Sequence, residues 1–206
     1  MQEEALIRRA QRQDADAFEQ LLLAHQKSVY NLCFRMLGNE QDALDLSQET
    51  FLRVWKSIGQ YQFDAAFSTW LYRITTNLCI DFLRRKKRRQ EQPLVLTDDE
   101  GEQQELSVPD PQPLPEEQLL QKDRRQAVAQ AMQTLPPDYR AILELRVVRQ
   151  LSYEQIGDIL SLPAGTVKSR LSRARMALKN LLKAGNFFDS DSSNQAKQSD
   201  LEVRKP

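Results

Sequence analysis

The chain has 206 residues, enough for one ordinary domain or two small ones, and its 29 basic and 29 acidic residues give a formal net charge of zero. With 28% charged residues and a mean hydropathy of −0.61, it reads as a soluble chain with balanced signs. Only six glycines occur, and no apolar run approaches the ~18 residues of a membrane span, which excludes membrane insertion and a glycine-rich phosphate-cradling enzyme.

The amino terminus, MQEEALIRRAQRQDADAF, carries no apolar stretch of secretory length, so no export signal is expected and the chain is expected in the cytoplasm. Two cysteines, Cys33 and Cys79, and one histidine, His25, are too few for a four-ligand zinc site, and neither a metal nor a cofactor is expected. The cysteines read as small buried apolar residues. His25 lies on the stripe Phe18, Leu21, Leu22, Val29, Leu32, Cys33, Met36, which predicts a helix from Ala15 to Leu37 with His25 partly buried in it and Gly38 leaving it in a left-handed turn.

A second helix starts at Asn39. At about 100° per residue, Leu44, Ser47, Phe51, Val54, Trp55 and Ile58 share a buried side, and Asp42, Asp45, Leu46, Glu49, Arg53 and Lys56 share the exposed one. Three carboxylates on one face suit a metal, a solvated helix start or a protein partner. The leucine among them favours the partner. After the aromatic stretch from Tyr61 to Phe67, Ser68 is expected to cap a helix that buries Leu71, Ile74, Leu78 and Phe82. Trp70, Arg73, Asn77, Ile80 and Arg84 then point outward, and the helix ends in the block Arg-Arg-Lys-Lys-Arg-Arg at 84 to 89. Rings, an amide and guanidinium groups beside a positive run suit single-stranded nucleic acid, where bases stack and phosphates pair with cations. The other reading puts Tyr61, Phe63 and Phe67 in the core and leaves the basic run solvated.

From Glu91 to residue 121 there are nine acids, no base and five of the nine prolines, the composition of a flexible linker. Helices are predicted over residues 119 to 134 and 138 to 149. Ser152 and Gln155 then form a capping-box pair ahead of Tyr153, Ile156, Ile159 and Leu160, and a turn from Ser161 to Gly165 leads to a second helix with Val167, Leu171, Ala174 and Leu178 inside. That is a helix-turn-helix. Lys168, Ser169, Ser172, Arg173 and Met176 face outward from its second helix, flanked by Arg170 and Arg175, the arrangement that reads a major groove while its flanks hold phosphates. Residues 185 to 206 lack periodicity and read as a disordered tail.

The segments Asp42-Ala-Leu-Asp-Leu-Ser-Gln-Glu-Thr-Phe-Leu-Arg-Val-Trp55, Phe67-Ser-Thr-Trp-Leu-Tyr-Arg-Ile74 with Asn77, Leu151-Ser-Tyr-Glu-Gln-Ile-Gly157 and Gly165-Thr-Val-Lys-Ser-Arg-Leu-Ser-Arg-Ala-Arg175 resemble, in order and spacing, those of bacterial extracytoplasmic-function sigma factors of the sigma-70 family. The resemblance spans residues 10 to 183. It implies an all-α protein of two small domains: region 2 over residues 1 to 90 and a region 4 helix-turn-helix over 122 to 184, joined by the acidic linker 91 to 121.

It further implies a protein that is not an enzyme, but binds core RNA polymerase, directs it to promoters and helps open them. Asp42, Asp45, Leu46, Gln48 and Glu49 would dock on the polymerase clamp coiled coil. Tyr61, Phe63, Phe67, Trp70, Arg73, Asn77, Arg84 and Arg85 would engage the minus-10 element. Thr166, Lys168, Ser169, Arg170, Ser172, Arg173 and Arg175 would read the minus-35 element, region 4 would touch the polymerase flap, and an anti-sigma factor is an expected partner. The rival readings are a stand-alone helix-turn-helix regulator, a metal-dependent nucleic-acid enzyme using Asp42, Asp45 and Glu49, and an adaptor that holds polymerase without reading DNA.

Overall fold

A computed structural model describes residues 2–91 and 116–185, with side chains over residues 2–89 and 121–185. The predicted linker between 92 and 115 and the tail from 186 lie outside the described residues. Those described form eight α-helices and no strand: α1 (Gln2–Ala10), α2 (Ala15–Leu37), α3 (Glu40–Ser57), α4 (Phe67–Glu91), α5 (Glu116–Thr134), α6 (Pro137–Leu143), α7 (Tyr153–Leu160) and α8 (Ala164–Ala184). Helix α5 therefore begins inside the stretch read as linker.

The boundaries follow from local chemistry. The Asp14 side chain accepts a hydrogen bond from the Ala17 N–H, which starts α2. That bond, and then Arg9, hold the Asp14 carboxyl below its ordinary value. Gly38 at φ 70° ends α2, donating its N–H to the Phe34 carbonyl, in a conformation that costs other residues more than glycine. Asn39 then caps α3 by accepting from the Asp42 N–H at 2.8 Å. Helix α4 begins at Phe67, one residue before the expected cap, with the Ala66 carbonyl accepting its first turns' N–H groups. Ser68 thus lies within the first turn.

Helices α1 to α4 surround a core of Leu21, Val29, Leu32, Met36, Val54, Ile58, Leu71 and Leu78. Helix α1, which no clear stripe marks in the sequence, contributes Ile7 and Ala10. Cys33 and Cys79 are buried free thiols with sulfurs 3.8 Å apart; the hydrogen bond between them and burial both push the Cys79 thiol up, so it stays protonated and packs as an apolar group. His25 is half-buried against the Phe67 ring, with Nε2 2.8 Å from the Glu3 carboxylate.

A second core joins Leu135, just after α5, to Ile142, Leu145, Ile156, Ile159, Val167 and Leu171 from α6 to α8. Helix α6 runs on into a π-helical turn, Glu144–Val148, which reaches close to the helix end expected at residue 149. The expected capping box opens α7: the Gln155 N–H donates to Ser152 Oγ, and Gln155 Oε1 accepts from the Ser152 N–H. Ser161 at φ 54° closes it. Gly157 sits where a Cβ would lie 2.6 Å from the Leu162 carbonyl oxygen, so the tight turn requires glycine there. Helix α8 starts at Ala164, which shortens the expected turn and puts Gly165 in the helix.

Candidate nucleic-acid and polymerase interfaces

Helix α3 presents one outward face. Asp42 lies 3.0 Å from Lys86 Nζ, Gln41 donates to Asp45, and Arg53 donates to Glu49 at 2.8 Å. Asp45 and Gln48 are exposed, and Asp42 and Glu49 are half-buried. Leu46, expected on the outer face with them, is 8% exposed and packs in the core beside Ala43, Thr50 and Val54. The outward leucines are Leu44 and Leu52, 44% and 56% exposed, so Leu44 and Leu46 exchange the places expected of them. The phase differs because the small Ala43 and the hydroxyl of Thr50 face inward. The Thr50 hydroxyl donates to the Leu46 carbonyl at 2.8 Å and so loses no hydrogen bond on burial.

Leu44 and Leu52 border an open apolar groove between α2 and α3, floored by Phe18, Leu22, Tyr30, Phe51 and Trp55. The Phe18 and Trp55 rings pack 4.8 Å apart. A carboxylate row beside an apolar trough is a surface for a basic, partly apolar helical partner. Among the described residues no His/Cys/Asp/Glu cluster has the geometry to hold a metal.

The aromatic segment before α4 is a knot. Tyr61 packs against Phe63, Phe67 and Trp70 with centroids 4.7, 5.6 and 5.3 Å away, and its hydroxyl donates to the Ala65 carbonyl at 2.6 Å. Burial, followed by the charges of Glu3, Asp64 and Glu4, pushes that hydroxyl up. Tyr61 and Phe67 are 7% and 4% exposed, so they fill core instead of offering rings to a base. Phe63, at φ 62°, is half-buried under the Arg8 guanidinium, 4.6 Å from its ring centroid. Trp70 is half-buried, while Arg73, Asn77, Arg84 and Arg85 are exposed. Ile80, expected outward with them, is 6% exposed and joins a core cluster that includes Ala141 of α6. Arg84 already holds both Asp138 oxygens, at 3.0 and 3.1 Å.

On α8, Val167, Leu171 and Ala174 are buried, and Lys168, Ser169, Ser172, Arg173, Arg175 and Met176 project outward, with Thr166 and Arg170 half-buried at the edge. Among the described residues no ion pair engages Lys168, Arg170, Arg173 or Arg175. The face is a row of uncommitted cations and short hydroxyls on a rigid helix, the geometry suited to a DNA groove.

Residues 21–89 match the Sigma-70 region 2 family and residues 125–178 match Sigma-70 region 4. The ECF RNA polymerase sigma factor SigW of Bacillus subtilis is 36% identical over 177 residues, covering 86% of this chain and 95% of the relative. The chain belongs to the extracytoplasmic-function sigma factors. The RNA polymerase sigma-H factor of Pseudomonas aeruginosa is 36% identical over 185 residues, covering 88% of this chain and 94% of that one. The fold is that of CnrH, solved in complex with the cytosolic domain of CnrY: TM-score 0.62, 23% identity, covering 89% of this chain and 99% of that one. In this sigma factor the region 2 match runs from within α2 to α4, and the region 4 match from within α5 into α8. The apolar groove beside the α3 carboxylates is the element that sequence reasoning missed. Its signal was the outward phase of Leu44 and Leu52.

Proposed function

We propose that this chain is the promoter-specificity subunit of a bacterial RNA polymerase, acting in the cytoplasm and catalysing no reaction itself. The observation that carries this reading is the exposed row of uncommitted cations on α8, set on a capped helix-turn-helix in a chain whose other half is region 2.

Asp42, Asp45, Gln48 and Glu49, with Leu44 and Leu52 at the lip of the groove, dock the clamp coiled coil of core polymerase. Leu46 supports that face from beneath. Trp70, Arg73 and Asn77 hold the minus-10 strand once it opens, with Phe63 at the rim and Arg84 and Arg85 on its phosphates. Tyr61 and Phe67 keep Trp70 in place. Lys168 and Arg173 read base edges of the minus-35 duplex, Ser169 and Ser172 let the helix approach, and Thr166, Arg170 and Arg175 fix its register on phosphates. Region 4 also meets the polymerase flap, and an anti-sigma factor controls release.

Selection of DNA fragments from a random library by the reconstituted holoenzyme tests the reading. Two motifs at a fixed spacing are expected, and Lys168→Ala with Arg173→Ala should lose only the upstream one. A single palindrome selected by the protein without polymerase would refute it.

A further inference from the structure

We infer that α1 positions the minus-10 site: Gln11, just past its end, and Arg8 on its outer face fix the backbone and the ring of the loop between α3 and α4, and so govern which downstream bases that loop accepts. The inference rests on the assignment of the loop and of Trp70, Arg73 and Asn77 to the minus-10 strand. The region 2 match begins at residue 21, so α1 lies outside it, and of its nine residues only Ile7 and Ala10 are buried. Its polar side chains carry the rest of what it does.

After α3 the chain makes one 3-10 turn, Ile58–Gln60, and then runs without regular structure to Phe67, where α4 begins. The carbonyls of such a segment need donors from elsewhere in the fold. The Gln11 side-chain amide donates to the Ile58 carbonyl at 3.1 Å and to the Tyr61 carbonyl at 2.8 Å. Both neighbours are acceptors, so the group that faces them is the NH2 of the amide, with one hydrogen for each carbonyl. Gln11 is itself fixed, because its backbone N–H donates to the Ile7 carbonyl at 2.8 Å and Ile7 sits in the core. The start of the loop is thus tied to α1 as well as to its own neighbours in sequence.

Phe63 lies two residues further on at φ 62°, a left-handed conformation that a bulky side chain keeps only where its surroundings hold it. Two groups do so here. The Tyr61 ring centroid stands 4.7 Å from that of Phe63, and the Arg8 guanidinium stands 4.6 Å from it, within range of the attraction between a cation and a ring face. Glu4, one turn earlier in α1, accepts from Arg8 Nε at 3.1 Å and from a terminal guanidinium nitrogen at 2.7 Å, which steers the cation onto the ring. A third link reaches the far end of the loop. Glu3 Oε1 lies 2.8 Å from His25 Nε2, the His25 ring packs 5.4 Å from Phe67, and Phe67 packs 5.8 Å from Trp70.

Trp70 and Arg73 border a cleft together with Gln62 and Asp64 of the loop, and among the described residues that line it none belongs to α1. Gln11 and Arg8 therefore act through the loop. A recognition site loses selectivity when its supporting residues let it drift by about 1 Å. Loss of either support leaves the fold and the DNA-facing groups in place but lets Phe63 and the Tyr61 backbone wander, so wrong bases are accepted more readily at the downstream motif alone.

The test uses holoenzyme reconstituted from core polymerase and the full chain, on a promoter carrying both motifs that the wild-type holoenzyme selects and on versions with single-base changes in either motif. Open-complex formation is read from the permanganate reactivity of unpaired thymines. Gln11→Ala and Arg8→Ala should each lower the discrimination against downstream changes by about fivefold to tenfold, while discrimination against upstream changes and pull-down of core polymerase stay at the wild-type level. Arg8→Lys, which keeps a cation within reach of Phe63, should recover most of the loss. Arg8 and Glu4 are both exposed, so Arg8→Ala leaves the fold intact and keeps the test decisive even if Gln11→Ala is unstable. Wild-type downstream discrimination in Arg8→Ala would overturn the inference. Equal weakening on every promoter would do so too, as the mark of a phosphate contact or a general loss of stability. Asn77→Ala, at an exposed position of α4, separates the two levels. If it lowers downstream discrimination and the α1 variants do not, the positioning role alone fails; if none of them changes it, the minus-10 assignment fails and the positioning role falls with it.

Discussion

Glu144 is 2% exposed, and burial raises its carboxyl to about 7 from 4.5, even though Arg35 and Arg149 oppose the rise. Their nitrogens stand 3.8 and 3.6 Å from Oε1, close enough for attraction but too far for a hydrogen bond, and that oxygen has no hydrogen-bond partner. Between pH 4.5 and 7 the folded chain therefore holds a proton that the unfolded chain has released. Stability falls as pH rises through this window, by about 1.4 kcal/mol per unit and so by an upper limit of about 3 kcal/mol across it. Glu144→Gln copies the protonated form and removes this dependence. Urea unfolding of both proteins from pH 4.5 to 8 should show equal stability at the acid end and a glutamine variant ahead by 1 to 3 kcal/mol, as a rough range, at pH 8. Parallel pH profiles for the two proteins would refute the reasoning, because every other titrating group is shared.

Three further outcomes follow from the surfaces. Asp45→Lys with Glu49→Lys should abolish pull-down of core polymerase while the circular dichroism spectrum stays unchanged, since both side chains are on the surface. Arg173→Ala should cost about 1 to 3 kcal/mol at a subset of minus-35 positions in holoenzyme binding; equal weakening on every sequence would make Arg173 a phosphate contact. Gly157→Ala forces a Cβ to within 2.6 Å of a backbone oxygen, so it should destabilise by about 1 to 3 kcal/mol in thermal unfolding and weaken minus-35 binding while polymerase docking persists.

Helix ends and the helix-turn-helix were legible in the sequence because their causes are local. Gly38 after an apolar stripe and Ser152 paired with Gln155 each act within four residues, and each acts as read; Asn39, read as the first residue of the second helix, is its cap instead. The α3 face was legible only in part. Reading the largest apolar residues as the buried side put Leu44 inside, but the true inner stripe runs through Ala43, Leu46, Thr50 and Val54, where neighbours demand small or hydrogen-bonded groups. Helix α1 is nine residues long with only Ile7 and Ala10 buried, too short to show a period. The burial of Ile80, Arg140 and Glu144 was not legible at all. It arises from packing between units distant in the chain, as in the Arg140 bond to Met36 across 104 positions, and no local pattern distinguishes such an arginine from a solvated one.

Run-off transcription tests the central claim most directly: purified core polymerase on fragmented genomic DNA, with and without the protein, with every transcript start mapped. The account predicts new starts that appear only with the protein, each preceded by two shared motifs at one fixed spacing. An unchanged set of starts, with core polymerase active on a control sigma factor, would contradict it.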